Sequence, residues 1–290
     1  MKIDAKVQSI SKLKDYFFLV PDYQREYVWK PDDEVEQFLI DIENEYSPDA
    51  KEQRNYFLGS IIIANNDRCF DVVDGQQRLT TIMLSLCVFR DLLKKETLNS
   101  AQKNYLQIIE NLLYNFDIES GETRVRLELQ YEESHDYLTA LIQEQPYNGV
   151  RSPSIVRMQD AYTKILRHFQ LYAGIDELID FAKYCLTKIE LVVIESQDLS
   201  SALKIFETIN QRGAGLNAMD LVKNLLFKAT KLLDSKFYIG ENTALNRFKN
   251  DFQYNFTGWN KSSVEARQKI LLELVFDTWR INDLRLDRVK

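Results

Sequence analysis

Apolar residues recur at two different spacings along this chain, and the spacing changes near residue 95. Up to that point short strand-like runs alternate with helical segments, whereas the remainder shows mostly the 3.6-residue period of helices. The first region contains a hairpin pattern, in which residues 56–64 and 68–73 flank the turn Asn65-Asn66-Asp67. The pattern predicts an α/β domain in residues 1–95 and a mainly helical domain in residues 96–290.

The same spacings predict the individual elements. In the first region we expect a strand over residues 17–20, a helix over 32–44 and a helix over 76–95 that begins directly after Asp74-Gly75. Further on, helices are predicted over residues 100–115, 131–144, 153–172, 174–186 and 218–233, with another helix ending near Asn210, and strands over 123–130 and 189–195. The predicted fold class is therefore α+β.

The composition is that of a globular protein. Of the 290 residues, 45% are hydrophobic, so the chain can bury a core and has room for two subdomains. The longest apolar runs, at residues 57–64 and 191–194, are far shorter than the roughly 20 residues of a membrane-spanning helix. The first seven residues lack the apolar stretch of a signal peptide. We expect a soluble cytoplasmic protein without membrane contact.

The net charge, the cysteines and the histidines limit which partners and which kinds of site we expect. A net charge of -7 and an isoelectric point of about 5.1 disfavour a broad basic surface for duplex DNA. Cys69, Cys87 and Cys185 are isolated in apolar stretches, so they are interpreted as core thiols rather than disulfide or metal ligands. His135 and His168 lie outside any metal-binding spacing. Any DNA contact is therefore expected to be local or to belong to another domain.

The strongest functional motif is Asp74-Gly75-Gln76-Gln77-Arg78-Leu79-Thr80-Thr81. It places a glycine and a polar run where a strand ends and a helix begins, so the free N–H groups and the positive end of the helix dipole form an anion site. Arg78 suits a forked contact to phosphate, and Thr80 and Thr81 add hydroxyls. Asp74 suits Mg²⁺ or a ribose hydroxyl.

A structural explanation of this motif is that Asp74 caps the helix and the glutamines face solvent. Capping needs only one such residue, and the motif supplies six polar or flexible positions, so the pattern favours function. The chain has no Walker A sequence, which disfavours an ordinary P-loop fold.

Two further segments are rich in groups that contact nucleotides. The first segment is Pro21-Asp22-Tyr23-Gln24-Arg25-Glu26-Tyr27-Val28-Trp29. Its aromatic rings are suited to stacking on a base, and Arg25 is suited to contacting a phosphate or an acid. The segment lies next to the first motif if the two strands are neighbours. The alternative is that Tyr27 and Trp29 pack under the following helix. The second segment, residues 206–224, crowds Asn210, Gln211, Arg212 and Gly213 at a helix end; it suits a loop that closes over a nucleotide or an ordinary helical hairpin.

Together, PDYQREYVW, DGQQRLTT and FETINQRGAGLNAMDLVKN resemble, in that order, the N-terminal domain of GmrSD-type restriction endonucleases. The resemblance covers roughly Ser9 to Phe227, and DGQQR is its most specific element. It implies a small α/β domain similar to the ParB and sulfiredoxin group, followed by a mostly helical domain that carries the INQRG loop. It also implies that the DGQQR segment binds and hydrolyses a nucleoside triphosphate.

The resemblance assigns site residues by motif. Asp74, Gln76, Gln77 and Arg78 are the expected catalytic residues, with Asp74 also the expected Mg²⁺ ligand. Tyr23, Gln24 and Arg25 match the first motif, and Asn210, Gln211, Arg212 and Gly213 the later one; with Gly75, Thr80 and Thr81 they are the expected nucleotide-binding residues. Arg78 and the helix start would stabilise developing charge, and Gln76 or Gln77 would orient the attacking water.

Related systems sense modified phage DNA and couple it to cleavage by an HNH-like nuclease domain. This chain departs from that pattern, because neither histidine has an HNH-like setting. We therefore expect a Mg²⁺-dependent NTPase sensor that reaches modified DNA only indirectly. Its expected partners are a separate HNH-type nuclease domain or subunit and further copies of the same chain in a homo-oligomer.

Two alternatives remain open. In the first, the chain is a non-catalytic scaffold that senses DNA and is switched by a bound nucleotide. In the second, the DGQQR site is a ParB-like nuclease that acts directly on DNA phosphate. The acidic net charge makes the nuclease the least favoured of the three.

Overall fold

The computed structural model describes residues 3–22, 24–118, 121–130, 135–172 and 174–210. All of these lie in the first of the two compact units of the chain, Met1–Ala218. They combine one mixed sheet with helices on both of its faces, which confirms the α+β fold class.

In the described residues the strands and helices follow one another in this order: β1 Ile3–Ser9, a 3₁₀ helix Ile10–Asp15, β2 Phe18–Val20, a π-type turn Pro31–Val35, α1 Glu36–Glu45, β3 Tyr56–Asn66, β4 Cys69–Asp74, α2 Gln76–Leu93, α3 Ser100–Leu113, β5 Tyr114–Asp117, β6 Glu122–Val125, β7 Leu127–Leu129, α4 His135–Ile142, α5 Pro153–Phe169, α6 Ile175–Lys188, β8 Ile189–Ser196 and α7 Leu199–Asn210.

The main sheet has six strands in the order β1-β8-β3-β4-β2-β7. β8 lies antiparallel to β1 and parallel to β3, β4 lies antiparallel to β3, and β2 lies parallel to both β4 and β7. β5 and β6 form a separate antiparallel pair. Because β2 and β4 run in the same direction side by side, the segments that follow these two strands leave the sheet at the same end.

β3 is central and is covered on both faces. Ile61 and Ile63 point into the large core beneath α1, α2, α5 and α6, whereas Ile62 and Ala64 contact a smaller apolar cluster formed with α7. A strand buried on both faces has a continuous apolar sequence instead of an alternating one, which explains the run at residues 61–64.

α2 is the central helix of the large core. From residue 76 to residue 90 every side chain is buried except that of Arg78, which is half-buried. Helices α3, α5 and α6 contact α2. Its first two residues, Gln76 and Gln77, are only 6% and 5% exposed, so the polar start of the helix lies inside the protein.

Most elements predicted within the described residues are confirmed, including the hairpin of β3 and β4 and the helix that begins at Gln76. The helix predicted over residues 218–233 lies outside the described residues. The strand predicted over residues 123–130 is wrong in one respect: it is interrupted at Arg126, and its halves belong to different sheets. β1 was not predicted. The predicted boundary at residue 95 runs through the main sheet, because β7 and β8 lie beyond it. No helix among the described residues is long and apolar enough to span a membrane.

Candidate functional site

Gly75 makes the sharp turn between β4 and α2. Its φ of 88° lies in the left-handed region, and a Cβ atom there would stand 2.5 Å from Ile61 Cγ2. Any other residue would therefore be both strained and in collision with β3. Glycine at this position lets the first turn of α2 begin directly against the middle of the sheet.

The helix α2 starts at a glycine. Gly75 is the N-cap residue and has no side chain, so it supplies no side-chain cap. The predicted structural alternative is wrong for the glutamines, which are buried and do not face solvent; the Asp74 carboxylate does accept a hydrogen bond from the Gly75 amide. The positive end of the helix dipole lies at this start of α2.

Arg78 lies across the neighbouring strand. Its Nη1 donates a hydrogen bond to the carbonyl oxygen of Ser60 at 2.8 Å, and its guanidinium lies over Gly59. A β-bulge between Phe57 and Gly59, with a φ of 127° at Gly59, shapes β3 at this point. The arginine is thus held in place by backbone, while part of it stays accessible to solvent.

Asp74 and Arg78 shift each other's ionisation. Burial raises the pKa of the Asp74 carboxyl, against the opposing effect of the Gly75 amide and of the positive charges of Arg78 and Arg25. Burial lowers the pKa of Arg78, against the opposing effect of Asp74 and Tyr56. Two oppositely charged side chains that are both partly buried and have shifted pKa values, here at the junction between β4 and α2, are typical of a functional site.

The two glutamines of DGQQR bind the first motif. Gln76 Nε2 donates to the Arg25 carbonyl oxygen at 2.9 Å, and Gln77 Nε2 donates to the Glu26 carbonyl oxygen at 2.9 Å. The Gln77 Oε1 atom accepts a hydrogen bond from the Val28 amide at 2.8 Å. The prediction that the first motif lies beside DGQQR is therefore confirmed.

Gln24 extends this contact towards the sheet. Its Nε2 donates to the Val73 carbonyl oxygen on β4 at 3.1 Å, just beyond the point where β2 stops pairing with β4. The side-chain amide thus continues the pairing of the two strands. Gln24 therefore has a structural function at this position, whatever else it contacts.

The threonines and aromatic rings of the two motifs are placed differently from the expectation. Thr80 and Thr81, expected at a phosphate, are 3% and 0% exposed. The Thr81 hydroxyl donates to the Gln77 carbonyl oxygen and accepts from the hydroxyl of Tyr27, both at 2.9 Å. Tyr27 is buried and Trp29 packs against Phe38 on α1, so these two rings follow the packing alternative.

Some expected site residues lie outside the described residues. These are Tyr23, Gln211, Arg212 and Gly213; Asn210 is the last residue of α7, and its side chain is not described. Arg25 is exposed next to the motif, and its charge acts on Asp74. The structure therefore brings together Asp74, Gly75, Gln76, Gln77 and Arg78 with Gln24 and Arg25.

Two residues of the site were not predicted. Gly59 and Ser60 position Arg78, and the sequence carries a signal for them, because a glycine inside a strand marks a bulge or a close approach of another group. Among the described residues no group of three or more His, Cys, Asp or Glu side chains is arranged to hold a metal ion.

The sequence matches the family described as GmrSD restriction endonuclease, N-terminal domain, over residues 7–227. The matched range contains all three motifs and agrees with the extent predicted from them. A comparison with curated proteins gives no match.

Proposed function

The chain belongs to the GmrSD restriction endonuclease N-terminal domain family, and from this premise we propose that it binds and hydrolyses a nucleoside triphosphate as the sensor module of a modification-dependent restriction system. Membership makes it a component of a restriction or phage-defence system, in which a nuclease domain acts on DNA. The nucleotide, its hydrolysis and the sensing of modified DNA are the proposed part.

The observation that carries the proposal is the start of α2 at Gly75, with the partly buried Asp74 and Arg78 beside it. The first-turn amides and the helix dipole favour a phosphate group. Arg78 has five N–H donors, and only one of them is needed for the Ser60 carbonyl. The remaining donors suit a forked contact to phosphate oxygens.

The site fits Mg²⁺ as a partner of the triphosphate. Asp74 is a half-buried carboxylate whose pKa is raised by burial, so a nearby cation would stabilise its charged form. Mg²⁺ in nucleotide sites needs only one or two carboxylates, because phosphate oxygens and water complete its coordination. When bound, the ion would neutralise phosphate charge.

In hydrolysis, a water oxygen bonds to the terminal phosphorus as the bond from that phosphorus to the bridging oxygen breaks. The diphosphate leaves with the electron pair, one water proton stays on the inorganic phosphate and the other passes to solvent. Arg78 and the α2 amides face the charge that grows on the phosphate oxygens, where fixed dipoles act most strongly. Thr80 and Thr81 are left out of this binding site, because they are buried.

The partners follow from charge and family. A net charge of -7 makes a broad DNA-binding face of this chain unfavourable. We therefore propose that modified DNA reaches the site indirectly and that an HNH-type nuclease domain or subunit makes the cut. In this arrangement the nucleotide state of the chain gates the nuclease.

The test is a binding titration with each of the four ribonucleoside triphosphates and Mg²⁺, followed by phosphate release, for the full chain. The variants are Asp74→Ala and Arg78→Ala. Arg124→Ala is the matched control, since Arg124 is also half-buried and donates to a backbone carbonyl, that of Arg68 at 3.1 Å, away from the motif.

We expect Arg78→Ala to lower phosphate release by roughly 100-fold, the usual effect of losing one donor at a developing oxyanion, and Arg124→Ala to leave it unchanged. Full activity in both motif variants would overturn the proposal. Tight binding without phosphate release would favour the nucleotide-switched scaffold, and metal-dependent nicking of plasmid that Asp74→Ala abolishes would favour the nuclease.

A further inference from the structure

β1 forms one edge of the main sheet. It comes first in the strand order, and among the residues that the structure describes only β8 pairs with it. Its outer edge therefore presents backbone N–H and C=O groups with which no described strand pairs. The side chains of Asp4, Ala5, Lys6 and Val7 are exposed as well. An edge of this kind is a template on which another strand can pair.

The two faces of β1 differ in chemistry. Successive residues of a strand point to opposite faces, so Asp4 and Lys6 share one face while Ala5 and Val7 share the other. Lys6 Nζ contacts Asp4 Oδ2 at 2.6 Å, and both of these side chains are about half exposed. Val7 is apolar and yet 62% exposed. The edge thus carries one negative and one positive charge on one face and an exposed apolar side chain on the other.

These residues complement a second copy of themselves. If the second copy runs antiparallel with its Ala5 opposite Ala5, its Lys6 lies opposite Asp4 and its Asp4 lies opposite Lys6. Opposite charges directly across an antiparallel pair attract each other. Lysines on an edge strand commonly prevent association, because like charges on two copies repel. Here the two charges have opposite signs and stand at equal distances from Ala5, so they favour the pairing instead.

The neighbouring registers are unfavourable. A two-fold axis perpendicular to the sheet keeps every residue on its own face, so the pairing can shift only in steps of two residues. One such step places Asp4 opposite Asp4 of the second copy, and the opposite step places Lys6 opposite Lys6. Like charges in direct opposition are destabilising. Within the strand Ile3–Ser9, larger shifts bring neither charge opposite its counterpart.

We propose that two copies of the chain associate through β1, antiparallel, with the two Ala5 residues at the two-fold axis. The main sheet then continues across both copies. Backbone hydrogen bonds between the two edges supply attraction that does not depend on side chains, and the four alternating charges of Asp4 and Lys6 fix the register. This inference does not rest on the proposed function.

The interface lies away from the DGQQR site. β8 separates β1 from β3, and it is β3 that Arg78 lies over. In the dimer five strand spacings, or about 24 Å, would separate the β3 strands of the two copies. Loss of the interface is therefore expected to leave the DGQQR site unchanged.

Sedimentation velocity of the full chain over a wide concentration series measures the equilibrium between monomer and dimer. The variants are Asp4→Lys, Lys6→Asp and the double variant that carries both changes. Lys14→Asp is the matched control, because Lys14 is also exposed but lies in the 3₁₀ helix Ile10–Asp15. Circular dichroism and the Tm check that each variant folds. Ala5→Lys sets two positive charges against each other at the two-fold axis, so it replaces a single variant that fails to fold.

We expect a weak wild-type dimer, since a single strand edge gives a small interface. Asp4→Lys and Lys6→Asp each place like charges opposite each other, so each should weaken dimerisation by roughly tenfold or more. The double variant exchanges the two charges and should dimerise like the wild type, as should Lys14→Asp. A mixture of the two single variants should form a heterodimer, because one presents two positive charges and the other presents two negative charges.

Three results would overturn the proposal. The first is a wild type that stays monomeric throughout the series; slow hydrogen exchange at the β1 amides of that monomer would show that residues 211–290 cover the edge instead. The second is dimerisation that neither single variant weakens, because the copies would then meet through another surface. The third is a mixture in which the two single variants remain separate, because the charges would then not lie opposite each other.

Discussion

The guanidinium group of Arg78 lies directly over Gly59, so that a Cβ atom at Gly59 would stand 3.0 Å from both Arg78 Cζ and Nη2. One residue is on β3 and the other is on the first turn of α2, 19 positions further along the chain. The absence of a side chain at Gly59 is therefore what lets the arginine reach its position beside Asp74.

Gly59→Ala should separate two effects. The new methyl group pushes Arg78 away, and the φ of 127° is strained for any L residue. We expect a loss of about 1–3 kcal/mol in the free energy of unfolding and at least a tenfold weaker affinity for the triphosphate. Urea denaturation and a binding titration measure the two effects.

The control is Gly121→Ala. Gly121 also has a positive φ, of 72°, but a Cβ atom there would meet nothing within 4 Å. It should therefore lower stability by strain and leave nucleotide affinity unchanged. Equal affinity in the Gly59 and Gly121 variants would show that the position of Arg78 does not matter for binding.

Local spacing was sufficient to predict the elements that carry the site. The hairpin, the long helix and the placement of DGQQR at the junction between strand and helix were all confirmed. Turn chemistry and helical periodicity are properties of neighbouring residues, so they can be recognised in a single sequence. The family could likewise be recognised from the three motifs.

The environment of the polar residues could not be predicted in this way. Gln76 and Gln77 were expected to face a ligand, yet their Nε2 atoms donate to carbonyls 51 positions earlier in the chain. Whether a polar side chain is buried depends on such distant backbone partners, and hydrophobic periodicity contains no information about them. β1 was missed although its sequence carries a signal: Ile3, Ala5 and Val7 alternate with polar residues as in a strand.

The hydroxyl chain from Tyr27 through Thr81 to the Gln77 carbonyl predicts an order of stabilities. Tyr27→Phe leaves Thr81 still donating to Gln77, so it should cost about 1 kcal/mol. Thr81→Val leaves the Tyr27 hydroxyl buried without an acceptor and should cost about 1–3 kcal/mol.

The double variant tests this interpretation of the hydroxyl chain. Removing both hydroxyls also removes the unpaired one, so Tyr27→Phe with Thr81→Val should be more stable than Thr81→Val alone. Urea denaturation of the four proteins gives the coupling energy. Additive effects would mean that the two hydroxyls do not depend on each other.

The cysteines should differ in reactivity. All three were predicted to be core thiols, which is confirmed for Cys87 and Cys185 and wrong for Cys69, which is half-buried. Burial raises the pKa of Cys87 to about 12 and raises that of Cys185 as well, so neither forms the reactive thiolate near neutral pH. Burial also raises the pKa of Cys69, but less of this residue is enclosed.

We therefore expect iodoacetamide at pH 8 to label Cys69 first, and Cys87 and Cys185 only after the chain unfolds. Mass spectrometry of the peptides at successive times measures the three rates. The same experiment in urea is the control, because the three rates should then become similar. Native labelling of Cys87 as fast as Cys69 would contradict the packing of α2.

Asp74→Asn should increase stability while it abolishes phosphate release. Burial raises the pKa of Asp74 above its ordinary value of 3.8. As the pH rises through 3.8, the unfolded chain loses the Asp74 carboxyl proton before the folded protein does. The free energy of unfolding of the wild type therefore falls until the pH reaches the pKa of Asp74 in the folded protein, and it stays lower by this amount at higher pH. An asparagine has no charge to bury, so at pH 7 the variant should be more stable by about 1 kcal/mol, with a Tm about 3 °C higher.

The pH dependence distinguishes this cause from better packing. Below pH 3.8 the carboxyl is neutral in both states, so the difference between wild type and Asp74→Asn should disappear there. Asp71→Ala is the control on the same strand: the Asp71 carboxylate accepts a hydrogen bond from Asn66 Nδ2 at 2.8 Å, and alanine removes this acceptor, so stability at pH 7 should fall. If Asp74→Asn were instead less stable than the wild type at pH 7, Asp74 would be a structural carboxylate, stabilised by Arg78 more than it is destabilised by burial. Its assignment to the site would then have to be withdrawn.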